Sequence, residues 1–140
     1  MRHEVATRVE APADVVWQTI SVVEKWPEWT PTMESVRRHD QGELTVGSSA
    51  EVRQPKQPVR RWTVTEVTPG RAFTWTTSGP GVRFTADHEV TTDADGQVVA
   101  TLAFTVSGPL APVVGLLGGR TIRRLVDTEA NSLKAWCERS

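Results

Sequence analysis

From Met33 to Ser107 the chain carries almost no helical periodicity. Instead, short alternating runs follow one another, separated by Gly, Pro and Asp. The runs cover residues 33–39, 49–54, 60–67, 72–77, 82–92 and 97–107, and the links between them are short enough to favour sequential antiparallel neighbours. One more alternating run precedes them, Glu4 to Glu10, with Val5, Thr7 and Val9 on one face. About seven strands in this order predict an antiparallel sheet, and only two stretches of the chain offer helices to cover it.

The first of these stretches begins at Ala11-Pro12. Proline suits the first turn of a helix, where its missing N–H would be unpaired anyway, and Asp14 places a negative charge near the positive end of the helix dipole. Val16, Ile20 and Val23 recur at helical spacing beside Trp17. Pro27 and Pro31 then bracket Glu28-Trp29-Thr30 and limit a second helix to a turn or two. The other stretch opens at Pro109 and Pro112. Leu117, Ile122, Leu125, Val126, Leu133 and Trp136 repeat at helical spacing along one long terminal helix. Gly118-Gly119 in its middle weakens it by about 1 kcal/mol per glycine relative to alanine, which predicts a kink or break there.

Period two sorts the strand residues by face. Trp62, Val64, Phe73, Trp75, Phe84, Ala86 and His88 fall on one side, followed by Val90, Ala100, Leu102 and Phe104; Thr63, Thr74, Thr85, Asp87, Glu89 and Thr105 are among their alternates. An aromatic face opposite a threonine-rich one implies a sheet with its apolar side under the helices and its polar side in water.

The order of elements, with the segments APADVVW (Ala11 to Trp17), KWPEW (Lys25 to Trp29), Val46-Gly47, WTVTEVTPGRAFTW (Trp62 to Trp75) and the terminal helix, resembles the START-related helix-grip superfamily (SRPBCC), in its polyketide cyclase/dehydrase and lipid-transport branch. The match spans the whole chain and implies one α+β helix-grip domain over residues 1–140. Its strongly curved antiparallel sheet would grip the long C-terminal helix, with two short helices after the first strand and a cavity for an apolar ligand between sheet and helix. Function varies widely within the superfamily and does not follow from the fold.

The candidate ligand-binding residues are Trp29, Trp62, Trp75, Phe84, His88 and Phe104, since ligand sites are mostly apolar with a few placed polar groups. Trp29, in the proline-bounded break, is read as a wall or gate. Trp62 and Phe73 are also read as core filler. His88 is the polar intruder on the aromatic face and the one catalytic candidate, as a general acid or base; its plain alternative is a hydrogen-bonded core histidine. Gln54 shares a parity with Ala50 and Val52 and points the same way. The pairs Arg37-Arg38, Arg60-Arg61 and Arg123-Arg124 would suit an anionic headgroup, or are simply solvated.

Other classes are disfavoured. A formal charge of −1 gives no basic field for nucleic acid. His3, His39 and His88 have no ligand spacing for a metal, no cofactor motif occurs, and G-x-S-x-G is absent. One cysteine, Cys137, no apolar signal segment after Met1 and no run of about 20 apolar residues lead to the expectation of a cytoplasmic protein without integral membrane association. The oligomeric state is left open. The expected function is therefore binding of a small hydrophobic molecule (lipid, polyketide-like or aromatic metabolite) in the cavity, because the inner face shows an apolar lining more than a catalytic pair; a cofactor-free cyclase/dehydratase is the alternative and a protein-interaction module the second alternative.

Overall fold

The structure is a computed structural model and describes residues 1–139. Strand β1 (Arg2–Val9) leads through Pro12 into helix α1 (Ala13–Ser21) and a two-turn 3-10 helix (Val23–Glu28). Strands β2 (Ser35–Arg38), β3 (Ser49–Arg53), β4 (Arg60–Thr68), β5 (Ala72–Gly79), β6 (Val82–Thr92) and β7 (Val98–Ser107) follow, and helix α2 (Ala111–Glu138) comes last. All neighbouring strands are antiparallel, in the order β1-β7-β6-β5-β4-β3-β2. The sheet is therefore an open meander with β1 laid back against β7. This is the α+β helix-grip arrangement, with seven strands and a long C-terminal helix.

The strand faces divide as the alternation predicts. Trp62, Val64, Phe73, Trp75, Ala86, His88, Val90 and Ala100 are buried on the inner side. On the outer side the polar residues pair across strands: Thr74 Oγ1 donates to Asp87 at 2.7 Å, and Arg2 donates to Thr105 at 2.9 Å. The one interruption is a bulge in β4, where the register with β5 shifts between Val64 and Glu66. Unbroken alternation would turn Glu66 inward. The extra residue, Thr65, leaves Glu66 exposed and brings Val67 opposite Phe73, packed against the core.

The helices close the inner side. Trp26 is buried among aromatic rings and donates its indole N–H to the Ile20 carbonyl at 3.0 Å, satisfying an orphan acceptor at the end of α1. Helix α2 lies across β1 and β7 and also meets α1. The β7–α2 junction needs glycine twice. Leu110 N–H donates to the Gly81 carbonyl at 2.8 Å, and a Cβ on Gly81 would sit 2.8 Å from the Leu110 side chain. A Cβ on Gly108, at φ +100°, would sit 2.8 Å from the oxygen of that same carbonyl.

The break expected at Gly118-Gly119 does not occur: α2 runs unbroken for 28 residues. Packing offsets the poor helix propensity, because the Met1 side chain lies against Gly115 and Gly119, about where their Cβ atoms would be in contact with it.

Candidate functional site

Between the inner face of the sheet and α2 lies a cavity of about 320 Å³. Its aromatic wall comes from consecutive strands. Trp62 on β4 stands 5.7 Å from Trp75 on β5 and 6.2 Å from Phe104 on β7, and Phe104 stands 5.6 Å from Phe84 on β6 (ring centroids). The opposite wall is one face of α2, carrying Gly118, Ile122, Leu125, Val126 and Glu129. Gln54, Gln57 and Arg60 supply a polar rim, with the Arg60 guanidinium 5.1 Å from the centre of the Phe84 ring.

Five of the six expected ligand-binding residues line this space: Trp62, Trp75, Phe84, His88 and Phe104. Trp29 is not among the lining residues. In a 3-10 helix residues three apart share a side, so Val23, Trp26 and Trp29 all turn toward the core. Trp26 is the one that reaches the cavity. Trp29, a turn further on, packs edge-on behind it at 5.8 Å with its indole N–H unpartnered among the described residues. Phe73 is wholly buried under His88 and also stands outside the lining.

His88 is held tightly. Its ring stacks on Phe73 at 4.3 Å, and Trp26 and Trp75 flank it at 5.3 and 6.1 Å. Nδ1 lies 3.2 Å from the Phe73 carbonyl. A carbonyl only accepts, so Nδ1 carries the proton and Nε2 is left with a lone pair and no partner among the described residues. Burial pushes the imidazole pKa down to about 4, against the weaker upward pull of that hydrogen bond and of Asp87. The ring is neutral at neutral pH and acts as an acceptor at the cavity wall.

The cavity holds a second titratable group that the strand-by-strand reading overlooks. Glu129 extends from α2, partly exposed to the cavity, and accepts a hydrogen bond from the Thr32 hydroxyl at 3.3 Å. Thr32 is itself paired with Thr30 at 2.9 Å, and its carbonyl accepts from Gln54 Nε2 at 3.3 Å. Removal from water pushes the Glu129 carboxyl up to about 7, opposed only by the Thr32 bond. Both its protonation states are therefore populated near neutrality. The signal for Glu129 was its place in the helical repeat: it falls one turn from Leu125, Val126 and Leu133, on the apolar stripe of α2.

The described residues contain no helix long and apolar enough to cross a membrane. The sequence profile of the family described as polyketide cyclase / dehydrase and lipid transport matches residues 2–138. No curated protein matches the sequence significantly. Similar solved structures include hypothetical protein jhp0584 from Helicobacter pylori (TM-score 0.80, 12% identity, 97% of this chain and 86% of that one). The Zhui aromatase/cyclase from Streptomyces sp. R1128 superposes with a TM-score of 0.74 at 18% identity, over 99% of this chain and 94% of that one. The di-domain aromatase/cyclase BexL from the BE-7585A biosynthetic pathway gives 0.75 at 15% identity over all of this chain, which spans 50% of BexL. At these identities the likeness is one of fold.

Proposed function

The chain belongs to the polyketide cyclase/dehydrase and lipid transport family, and from that premise we propose that it binds a small, flat, largely apolar molecule bearing a hydroxyl or carbonyl group. The single observation that carries this reading is the pairing of an aromatic-walled cavity with two differently poised polar groups. Trp62, Trp75, Phe84 and Phe104 offer faces for ring stacking, while His88 Nε2 accepts from a hydroxyl and Glu129, when protonated, donates to a carbonyl. The size of the cavity is at the small end for a ligand site, which favours one or two fused rings over a long acyl chain. Native mass spectrometry of the protein isolated from its source cells tests this. One small molecule per chain is expected, released by organic solvent and identified as a hydroxylated or carbonyl-bearing ring compound. A chain that emerges empty and also fails to take up added naphthol overturns the reading.

Glu129 supports a second reading, cofactor-free acid/base chemistry. A general base works best with a pKa near the working pH, and Glu129 meets that condition where His88, at about 4, does not. In the dehydration of a ring-closed β-hydroxy ketone, the Glu129 carboxylate would take the proton from the carbon beside the carbonyl, the electron pair left on that carbon would form the C=C bond as the C–O bond breaks, and the departing hydroxide would take the proton back from Glu129 and leave as water. Deuterium exchange at the acidic carbon of bound tetralone is the test. Exchange with a pH midpoint near 7 that disappears in Glu129→Gln, with tetralone affinity retained, supports catalysis; exchange at the solvent rate in both proteins removes it.

A further inference from the structure

The first half of α2 has two working faces. At about 100° per residue, Gly118, Ile122, Leu125 and Glu129 fall together on the cavity side. Val113, Leu116, Leu117, Arg120 and Arg124 fall together on the other. That outer face is open: Leu116 and Leu117 are 85% and 81% exposed, Val113 is half exposed, and Leu110 just before the helix is nearly so. Two leucines standing almost fully in water one turn before a row of arginines are not needed by the core.

Up to Arg124 the charge on this face is of one sign. Arg120, Arg123 and Arg124 are exposed and have no ion-pair partner among the described residues. No Asp or Glu occurs on α2 before Asp127, which follows on the same face one turn after Arg123 and Arg124 and is hydrogen-bonded to His3 at 2.8 Å. A second copy docking this face on itself would bring arginines against arginines, so the charge argues against a symmetric dimer.

We propose that this face of α2 docks on an anionic lipid surface, Leu116 and Leu117 entering the acyl boundary and Arg120, Arg123 and Arg124 holding the headgroups. Aliphatic side chains beside snorkelling arginines on one helical face match the requirements of an interfacial helix that lies on a membrane without crossing it. The reverse side of that helix is the cavity wall, so an apolar molecule leaving the bilayer has only the helix between it and the cavity. Docking is independent of what fills the cavity, because vesicle binding requires no ligand.

The experiment is co-flotation of the full chain with vesicles of phosphatidylcholine alone and with vesicles in which one lipid in three is phosphatidylglycerol. Partition into the anionic vesicles only is expected, falling as salt is raised. Leu116→Ser/Leu117→Ser lowers the partition by about tenfold or more through lost apolar insertion. Arg120→Gln/Arg124→Gln also lowers it about tenfold or more through lost headgroup attraction. Both variants keep the wild-type melting temperature, since every changed residue is exposed. No partition into anionic vesicles, or partition unaffected by the leucine variant, overturns the proposal. So does a dimer in sedimentation velocity that the leucine variant dissolves, which assigns the face to a second copy. Retention on polyglutamate that depends on the arginines but not the leucines assigns it instead to an acidic protein, with the same consequence.

Discussion

From Val126 to Cys137, α2 belongs to the core: Leu133 is fully buried, Ala130 and Cys137 nearly so, and Val126 and Ala130 pack against Leu102. The polar edge of this half is fastened to β1 as well. Lys134 Nζ donates to the Arg8 carbonyl at 2.7 Å, and Glu138 accepts from the Glu10 backbone N–H at 2.7 Å. From Val113 to Leu125 the same helix has exposed leucines, three glycines and a cavity beneath it. One continuous helix thus serves as anchor at one end and as cover at the other. The hydrogen-bonded spiral is common to both halves, and what differs is how much apolar surface each buries.

The strongest way to break that comparison is to truncate a side chain in each half. Leu133→Ala removes a fully buried side chain and should cost about 2–5 kcal/mol of unfolding free energy in a denaturant titration. A cost near zero would mean that the C-terminal half is not an anchor.

Glu129, in the first turn of the anchoring half, gives the next largest effect. Its carboxyl is raised from 4.5 to about 7, so the folded state holds the proton more tightly than the unfolded state. That contribution to stability is complete below pH 4.5 and is lost as pH rises through 7. Relative to wild type, Glu129→Gln should therefore gain stability progressively between about pH 5 and 8, by at most about 3 kcal/mol. Parallel stability curves for the two proteins would show that Glu129 is solvated.

A smaller, opposite-signed effect belongs to the cover. A Cβ on Gly118 meets no atom within 4 Å, so Gly118→Ala should stabilise the protein by about 0.5–1 kcal/mol and slow amide exchange in the first half of α2. Smallest is Leu117→Ser, expected to change thermal stability by less than about 0.5 kcal/mol, because that side chain is already in water.

The sheet was legible in the sequence because alternation is a local signal, and β6 spans the predicted run residue for residue, from Val82 to Thr92. Five aromatic-face residues reach the cavity for the same reason. The parts that were not legible depend on contacts between distant segments. Periodicity does not show which tryptophan of Lys25-Trp26-Pro27-Glu28-Trp29 reaches the cavity; that follows from how the 3-10 turn sits over Phe73 and Trp75. The glycine pair in α2 signalled a break because the packing that compensates for Gly119 comes from Met1, more than a hundred residues away. Glu129 was visible only as an acid on an apolar stripe, and its meaning comes from Thr32, brought to it by the fold.

The central claim, that the space under the first half of α2 is a ligand site, is tested most directly by titrating the wild-type protein and Ala86→Phe with naphthol and following tryptophan fluorescence. Ala86 lines the cavity between Trp75 and Phe104 in the sheet, and a phenyl ring there fills the space that the ligand would use. Saturable one-to-one quenching is expected in the wild type and none in Ala86→Phe, with the variant still folded by circular dichroism. Equal quenching in both proteins would contradict that claim.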